Sequence, residues 1–271
     1  MGMEAQQSFC PESRMETDFK DRVKRQYSRQ AHLYAKSRPH ALGDTLQLMA
    51  SWAGGRGTER VLDVATGCGF CAFAVAPSVA KVIGLDLTPS MLQEASRLAE
   101  ERGLKNVEFR EGDAEALPFP DSYFDIVSCR ISAHHFSSPM SFLSESWRVL
   151  TSGGSLLLVD TSSPDETVAC WHNDVERMRD PSHVRNLTPA QWRDLVQRAG
   201  FSIVEFSAEH RTRLEFSDWV KTSGCSPETI STLLQRFEQA PLEVKRTFGI
   251  QANGAQILFS WPITALKAVK S

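Results

Sequence analysis

The chain predicts an α/β fold, a doubly wound and mostly parallel sheet of seven strands, with a helical cover before it and a helical insertion ahead of the last strand. Three observations carry this expectation. From about residue 60 onward, short apolar runs alternate with amphipathic segments of helix length, the pattern of strands joined by crossover helices. Acids close or follow three successive runs, at Asp63, Asp86 and Asp113, along the carboxyl edge where open α/β sheets hold their ligands. The run Ser155-Leu-Leu-Leu-Val-Asp160 does not alternate, as a central strand covered on both faces requires.

Each element follows in order. Residues 1–18 are polar and unpatterned, so a disordered tail is expected, with one domain over 19–271. Residues 19–56 form the helical cover, its broken apolar faces carrying Val23, Tyr27, Tyr34, Leu46 and Met49. Arg60 to Ala65 is the first strand, and Phe70 to Ala76 a helix that stops before Pro77. Lys81 to Asp86 is the second strand. Thr88, with Pro89 at the first helical position, opens a helix that buries Met91, Leu92, Ala95 and Ala99 and stops at Gly103. Val107 to Arg110 and Phe124 to Cys129 are the third and fourth strands, separated by a loop that Pro118 and Pro120 enforce. Leu143, Trp147 and Leu150 share a helix face before the fifth strand, Ser155 to Asp160. Thr188-Pro189 opens another capped helix that ends at Gly200. Phe201 to Phe206 is the sixth strand, 211–252 a helical insertion or lid, and Ile257 to Val269 the last strand.

Composition limits the partners. A chain of 271 residues with 41% hydrophobic side chains buries a full single-domain core. A net charge of −3 offers no general attraction to nucleic acid or anionic membrane. No apolar run reaches the roughly 20 residues of a membrane span, and the polar start lacks the apolar centre of a signal peptide. No nucleic-acid partner, no stable membrane insertion and a cytoplasmic location are therefore expected. Six cysteines are too sparse for a disulfide scaffold. Cys68 and Cys71 have the spacing of a redox pair at a helix start, but no second pair completes a metal set, so no metal site is expected.

The loop in Val61-Leu-Asp-Val-Ala-Thr-Gly-Cys-Gly-Phe70 defines the ligand more closely. Gly67 and Gly69 let a ligand approach the backbone at a helix N-terminus. A dinucleotide fingerprint needs a further small residue three positions on, and an acid inside the strand would oppose a pyrophosphate. Asp63 suits a cationic amino group instead, and Asp86, some 20 residues on, suits ribose hydroxyls. A ligand with a ribose, an amino group and no phosphate fits this set.

These stretches, with Gly84-Leu-Asp86, Gly112-Asp-Ala-Glu-Ala-Leu-Pro-Phe-Pro-Asp121, Phe124-Asp125 and Arg148-Val-Leu-Thr-Ser-Gly-Gly154, resemble in order and spacing the motifs of class I S-adenosylmethionine-dependent methyltransferases. The likeness is to the ubiquinone/menaquinone-biosynthesis-like (type 11) small-molecule branch, over about residues 25–210. It implies a Rossmann-like methyltransferase fold, S-adenosyl-L-methionine as cofactor with S-adenosyl-L-homocysteine as product, and a small-molecule acceptor. It also implies that Asp63 lies near the methionine amino end, that Ala65, Thr66, Gly67 and Gly69 pass under the cofactor, and that Asp86, with Leu87 beside it, holds the ribose. Met91 would pack on the adenine, Asp113 and Ala114 would read its edge, and Tyr27 and Tyr34 would close over the methionine end. Ala65 departs from the common pattern, which has glycine there.

Methyl transfer from a sulfonium asks for alignment and exclusion of water, plus a base where the acceptor is a hydroxyl or carbon acid. The segment Cys129-Arg-Ile-Ser-Ala-His-His-Phe136 leaves the fourth strand at the ligand edge. His134 and His135 are the candidate bases, one expected in the site and the other structural, with His135 preferred. Arg130 is a candidate for the cofactor carboxylate. His172, Asp180, His183 and Arg185 are candidates for the acceptor, against a reading as a salt-bridged loop. A cofactor-binding sensor without catalysis, a tRNA or protein methyltransferase and a nicotinamide-dependent reductase are the alternatives.

Overall fold

The carboxyl edge of the sheet is built by five parallel strands, β1 (Arg60–Val64), β2 (Lys81–Asp86), β3 (Val107–Glu111), β4 (Phe124–Arg130) and β5 (Leu150–Thr161). β6 (Phe201–Glu215) and β8 (Gln256–Lys270) complete it, β8 lying antiparallel between β5 and β6. The order is β3-β2-β1-β4-β5-β8-β6, and a three-residue β7 (Gln251–Asn253) pairs with β8. Winding outward from β1 to β3 and then returning to β4 opens a switch point between β1 and β4, the place where such sheets hold ligands. Among the described residues the sheet thus has eight strands where seven are expected, β7 being too short to register as an apolar run. The computed structural model describes residues 11–37, 41–253 and 256–271, with side chains over 19–37, 41–252 and 256–271.

Helices α1 (Pro11–Tyr34) and α2 (Asp44–Ala53) form the cover. Helix α1 spans Pro11–Tyr34, so its first described turns fall inside the stretch read as a tail; residues 1–10 lie outside the described residues. Next come α3 (Phe70–Val75), α4 (Pro89–Glu101), α5 (Pro139–Val149), α6 (Glu166–Arg179) and α7 (Pro189–Arg198). Gly69 precedes α3 at φ +86°, and a Cβ there would lie 2.6 Å from the Phe73 ring, so the turn and the packing both demand glycine. Helix α7 opens on a full capping box between Thr188 and Gln191.

Three expectations are corrected. Helix α6 replaces a polar loop: Asp165 caps it, accepting from the Thr167 and Val168 N–H groups, and Val168, Trp171, His172 and Val175 are buried at helical spacing. Its buried polar residues, His172, Asn173 and Glu176, hid that periodicity. Strand β6 runs on to Glu215, so the insertion begins at Phe216, not at residue 211. This outer strand is an exposed edge and carries no apolar alternation to reveal it. Trp147 is 38% exposed, and α5 instead buries Phe142, Leu143, Ser146 and Val149.

Helices α8 (Phe216–Thr222), α9 (Pro227–Glu238) and α10 (Leu242–Phe248) make up the insertion. With α6 and the first half of β8 they enclose an aromatic cluster that includes Trp171, Trp219, Phe237, Phe248 and Trp261. Two further apolar clusters cover the two faces of the sheet. No described helix is long and apolar enough to cross a membrane.

Candidate active site

At the ends of β1 and β2, two buried acids organise the loop. Asp63 accepts from Thr66 Oγ1 (2.6 Å) and Ser128 Oγ (2.7 Å), and burial raises its carboxyl above the usual range. Asp86 accepts from the backbone N–H groups of Gly67 and Thr88, both at 2.8 Å. Its carboxyl is also raised, burial outweighing those two bonds. Ala65, at the turn between them, has φ +52°, and Gly67 has φ +54° with nothing within 4 Å of a Cβ built on it. The backbone is therefore bent away from the space above it. Met91 closes the floor, its sulfur 3.6 Å from Cys68 Sγ.

Helix α1 roofs this space. Phe19, Lys20, Val23, Tyr27 and Tyr34 line it from a single helix face. Lys20 pairs with Asp113 (2.7 Å) and Glu115 (3.3 Å), and Lys24 with Glu111 (3.2 Å), clasping α1 to the end of β3. Farther along α1, Gln26 and Gln30 both donate to the Ser223 carbonyl at the end of α8. The cavity beneath measures about 220 Å³ and continues to the ends of β4 and β5.

There the walls are titratable and aromatic. His134 Nδ1 lies 2.7 Å from Asp160 Oδ1. Burial disfavours its imidazolium, but Asp160, with Glu176 and Asp180 behind it, outweighs this and raises its pKa. Its Nε2 has no hydrogen-bond partner among the described residues, and 13% of the side chain is exposed. His135 is held differently. Its Nδ1 faces the Ser182 carbonyl (3.0 Å), so that nitrogen carries the proton, and its Nε2 accepts from Tyr27 Oη (2.6 Å). Burial, then His134, hold His135 down to about 4. Burial and then Asp180, 3.2 Å away, push the Tyr27 phenol well up, keeping it a donor. Arg179 pairs with Glu176 (3.0 Å), donates from Nε to the Trp219 carbonyl (3.0 Å) and lies over the Trp219 ring.

Of the residues singled out from sequence, Tyr27, Tyr34, Asp63, Ala65, Thr66, Gly67, Asp86, Leu87, Met91, Asp113, Ala114, Arg130, His134, His135 and Asp180 line this one cavity. Gly69 does not line it and acts through the turn. His172, His183 and Arg185 lie outside the wall. The two histidines are bonded internally, His172 by Ser163 and Asn186 and His183 by Asn173, and Arg185 reaches Glu166 loosely on the surface. Arg130 lines the wall, where its Nε donates to Thr45 Oγ1 (3.0 Å). The cysteine pair is poorly placed for redox chemistry, since burial pushes Cys68 up to about 12 and Cys71 well above its usual value. Among the described residues no cluster of metal ligands occurs.

Thr161, Glu176, Arg179, Trp219 and Trp261 also line the cavity and were not picked out as site residues. The i,i+3 spacing of Glu176 and Arg179 signals an ion pair once α6 is recognised. Nothing local distinguishes Trp261 from any core aromatic.

A profile described as a methyltransferase domain matches residues 62–158. The uncharacterised methyltransferase YcgJ of Bacillus subtilis is 34% identical over 247 residues, covering 90% of this chain and 97% of its own. Its crystal structure superposes with a TM-score of 0.77 over 83% of this chain and 97% of that one. A solved structure from Bacillus halodurans is 39% identical, with a TM-score of 0.80 over 84% of this chain and 99% of that one. The demethylmenaquinone methyltransferase of Deinococcus radiodurans is 43% identical over 109 residues, covering 39% of this chain and 44% of the relative. Similarity that spans nine-tenths of the chain, on this sheet and with this loop, makes it a member of the class I S-adenosylmethionine-dependent methyltransferases, in their ubiquinone/menaquinone-biosynthesis-like branch.

Proposed function

We propose that the cavity holds S-adenosyl-L-methionine over the β1–β2 turns and a small-molecule acceptor beside His134, and that the methyl group goes to an oxygen or carbon of that acceptor. The observation that carries the reading is continuity. One cavity joins the Asp86 carboxylate to the two histidines, under a single roofing helix.

The residues fit this methyl donor. The two backbone N–H groups on Asp86 fix its carboxylate and leave each oxygen a lone pair for a ribose hydroxyl. Among the described residues six carboxylates line the cavity, Asp63, Asp86, Asp113, Glu115, Glu176 and Asp180, against Lys20, Arg130 and Arg179. That balance favours a cationic sulfonium and opposes a pyrophosphate. Met91, Leu87 and Ala114 supply apolar surface for an adenine. When bound, the sulfonium supplies an electrophilic methyl with a neutral leaving group. The chain's own residues then have three tasks: to align the acceptor, to exclude water beneath α1 and to take a proton.

A small acceptor is favoured because α1, clasped by Lys20, Lys24, Gln26 and Gln30, covers the cavity that a tRNA or protein side chain would have to reach. Demethylmenaquinone methyltransferases act, by name, on a small molecule. The Deinococcus radiodurans match spans less than half of either chain and supports the class of acceptor rather than its identity.

Calorimetric titration with S-adenosylhomocysteine, with NADH as the control, tests the donor. Transfer of labelled methyl from S-adenosylmethionine to fractionated metabolites tests the acceptor. Binding of NADH alone, or label appearing only in tRNA or protein, would overturn the reading; cofactor binding without transfer would favour a sensor.

A further inference from the structure

We infer that His134 is the base, that Asp160 holds its proton on Nδ1, and that Thr161 and Asn186 are positioning residues which keep Nε2 as the lone-pair nitrogen facing the cavity. The inference rests on the methyl-transfer reading and deepens it.

The direction of each hydrogen bond can be followed outward from Asp160. Asp160 Oδ1 accepts from the Thr161 N–H (2.9 Å) and so presents an acceptor to His134 Nδ1, 2.7 Å away. The imidazole proton is therefore on Nδ1. Thr161 Oγ1, 3.3 Å from the same nitrogen, must offer it a lone pair, so its own proton goes to Asn186 Oδ1 at 2.6 Å. The Asn186 amide nitrogen then points to His172 Nε2 (3.1 Å), and the His172 proton lies on Nδ1, toward Ser163 Oγ (3.0 Å). Turning the Asn186 amide over would aim the Thr161 proton at a nitrogen that already carries one. The chain has one consistent polarity.

His135 lacks these properties. Its Nε2 is taken by Tyr27, and its Nδ1–H faces a carbonyl that cannot stabilise a new charge as a carboxylate does. At His134 the balance is reversed. Asp160 is 1% exposed, and its Oδ2 has no partner among the described residues, so an imidazolium on His134 is the charge that completes the pair. The other groups facing His134 are Glu176 on α6 and Asp180 just past its end, which favour its protonation, and neutral His135, His172 and His183. The Arg179 charge beside them is spent on Glu176.

The step balances. The electron pair of the acceptor's O–H or C–H bond forms the bond to the methyl carbon, the pair of the old carbon–sulfur bond stays on sulfur, and the proton ends on His134 Nε2. Such a base serves an acceptor that loses a proton during transfer, a hydroxyl or an activated carbon, and is superfluous for a tertiary amine or thioether.

Nitrogen-15 NMR of the histidines, in the free protein and with S-adenosylhomocysteine, tests this without an acceptor. His134 is expected as the Nδ1–H form, titrating above about 6.5, the ordinary histidine value. Thr161→Val and Asn186→Leu should lower that pKa and mix the two tautomers, Thr161→Ser should restore both, and all three should keep affinity for S-adenosylhomocysteine. An Nε2–H form of His134 in the wild-type protein, or titration unmoved in well-folded Thr161→Val, would overturn the inference. Should S-adenosylhomocysteine fail to bind, the methyl-transfer reading falls instead, while the tautomer is still read from the free protein.

Discussion

Asp86 takes its two hydrogen bonds from the backbone of Gly67 and Thr88, 19 and two residues away, whereas His135 is held by the side chain of Tyr27, 108 residues away, and His134 by Asp160, 26 residues away. The first arrangement is set by the turns of adjacent parallel strands. The second exists only when α1, α6, β5 and the β4 exit are docked on one another. The cofactor end should therefore behave as part of the sheet, and the acceptor end as a tertiary assembly that fails earlier and more variably.

Paired substitutions test that separation most strongly. Asp86→Ala should weaken S-adenosylhomocysteine binding by about 100-fold or more, since hydrogen bonds to a charged acceptor contribute roughly 1.5–3 kcal/mol each and, in the proposed binding mode, two ribose hydroxyls lose theirs. His134→Gln should leave that affinity within about threefold while lowering turnover by roughly 10²–10⁴, the range for a lost general base. Calorimetry and single-turnover kinetics read the two quantities separately. If both variants lose binding equally, the two ends are one unit and the distinction fails.

Acid separates the ends next. Burial holds His172 down to about 3, His135 to about 4 and His183 well below its usual value. Each is depressed relative to the unfolded chain, so its contribution is intact above about 6.5 and is lost as pH falls toward the folded value. The slope approaches about 1.4 kcal/mol per pH unit for each histidine, on the order of 3–4 kcal/mol for the three. His134, whose pKa is raised, acts oppositely: its contribution is present below about 6.5 and is lost as pH rises through the folded value. Melting temperature should fall steeply between about pH 6 and 5. His172→Gln should flatten that fall by about a third, and an unchanged profile would mean that the acceptor end does not hold these rings neutral.

The same contrast explains what could be read from the chain alone. Asp63, Gly67, Asp86, Asp113 and Met91 lie in contiguous motifs whose backbone geometry is local, and all of them line the cavity. The acceptor wall has no such signature. His172 and His183 are as polar in sequence as Asp180, and only the fold reveals that their bonds end on Ser163, Asn186 and Asn173. Trp261 reaches the site because β8 pairs with β6, where it lies opposite Thr212, 49 residues earlier, a pairing that periodicity does not encode. His134 and His135 are adjacent rings that sequence does not distinguish; in the fold they have different partners, Asp160 for His134 and Tyr27 for His135.

A smaller effect is expected where the two ends are tied by α1. The Lys20 to Asp113 pair is about a quarter exposed on each side chain, so its contribution is roughly 0.2–1 kcal/mol. Lys20→Met should speed amide exchange in the first half of α1 and accelerate S-adenosylhomocysteine dissociation by up to about fivefold, the kinetic equivalent of that energy. Slower dissociation would show instead that Lys20 competes for Asp113 with the adenine.

Ala65→Gly should have the smallest effect, and its sign follows from two opposed costs. Ala65 holds φ +52° at the end of β1, a left-handed conformation that costs a residue with a Cβ roughly 1–2 kcal/mol. Glycine removes that strain but loses about 0.5–1 kcal/mol more conformational freedom on folding. The net gain is between about zero and 1.5 kcal/mol, a rise in melting temperature of up to about 5 °C for a domain of this size. Affinity for S-adenosylhomocysteine should be unchanged, because Asp86 and the Gly67 N–H, which fix the loop, are untouched. A loss of stability would mean that the alanine methyl, packed against the apolar cluster on that face of the sheet, contributes more than its backbone strain costs; the cofactor end would then depend on side-chain packing as the acceptor end does.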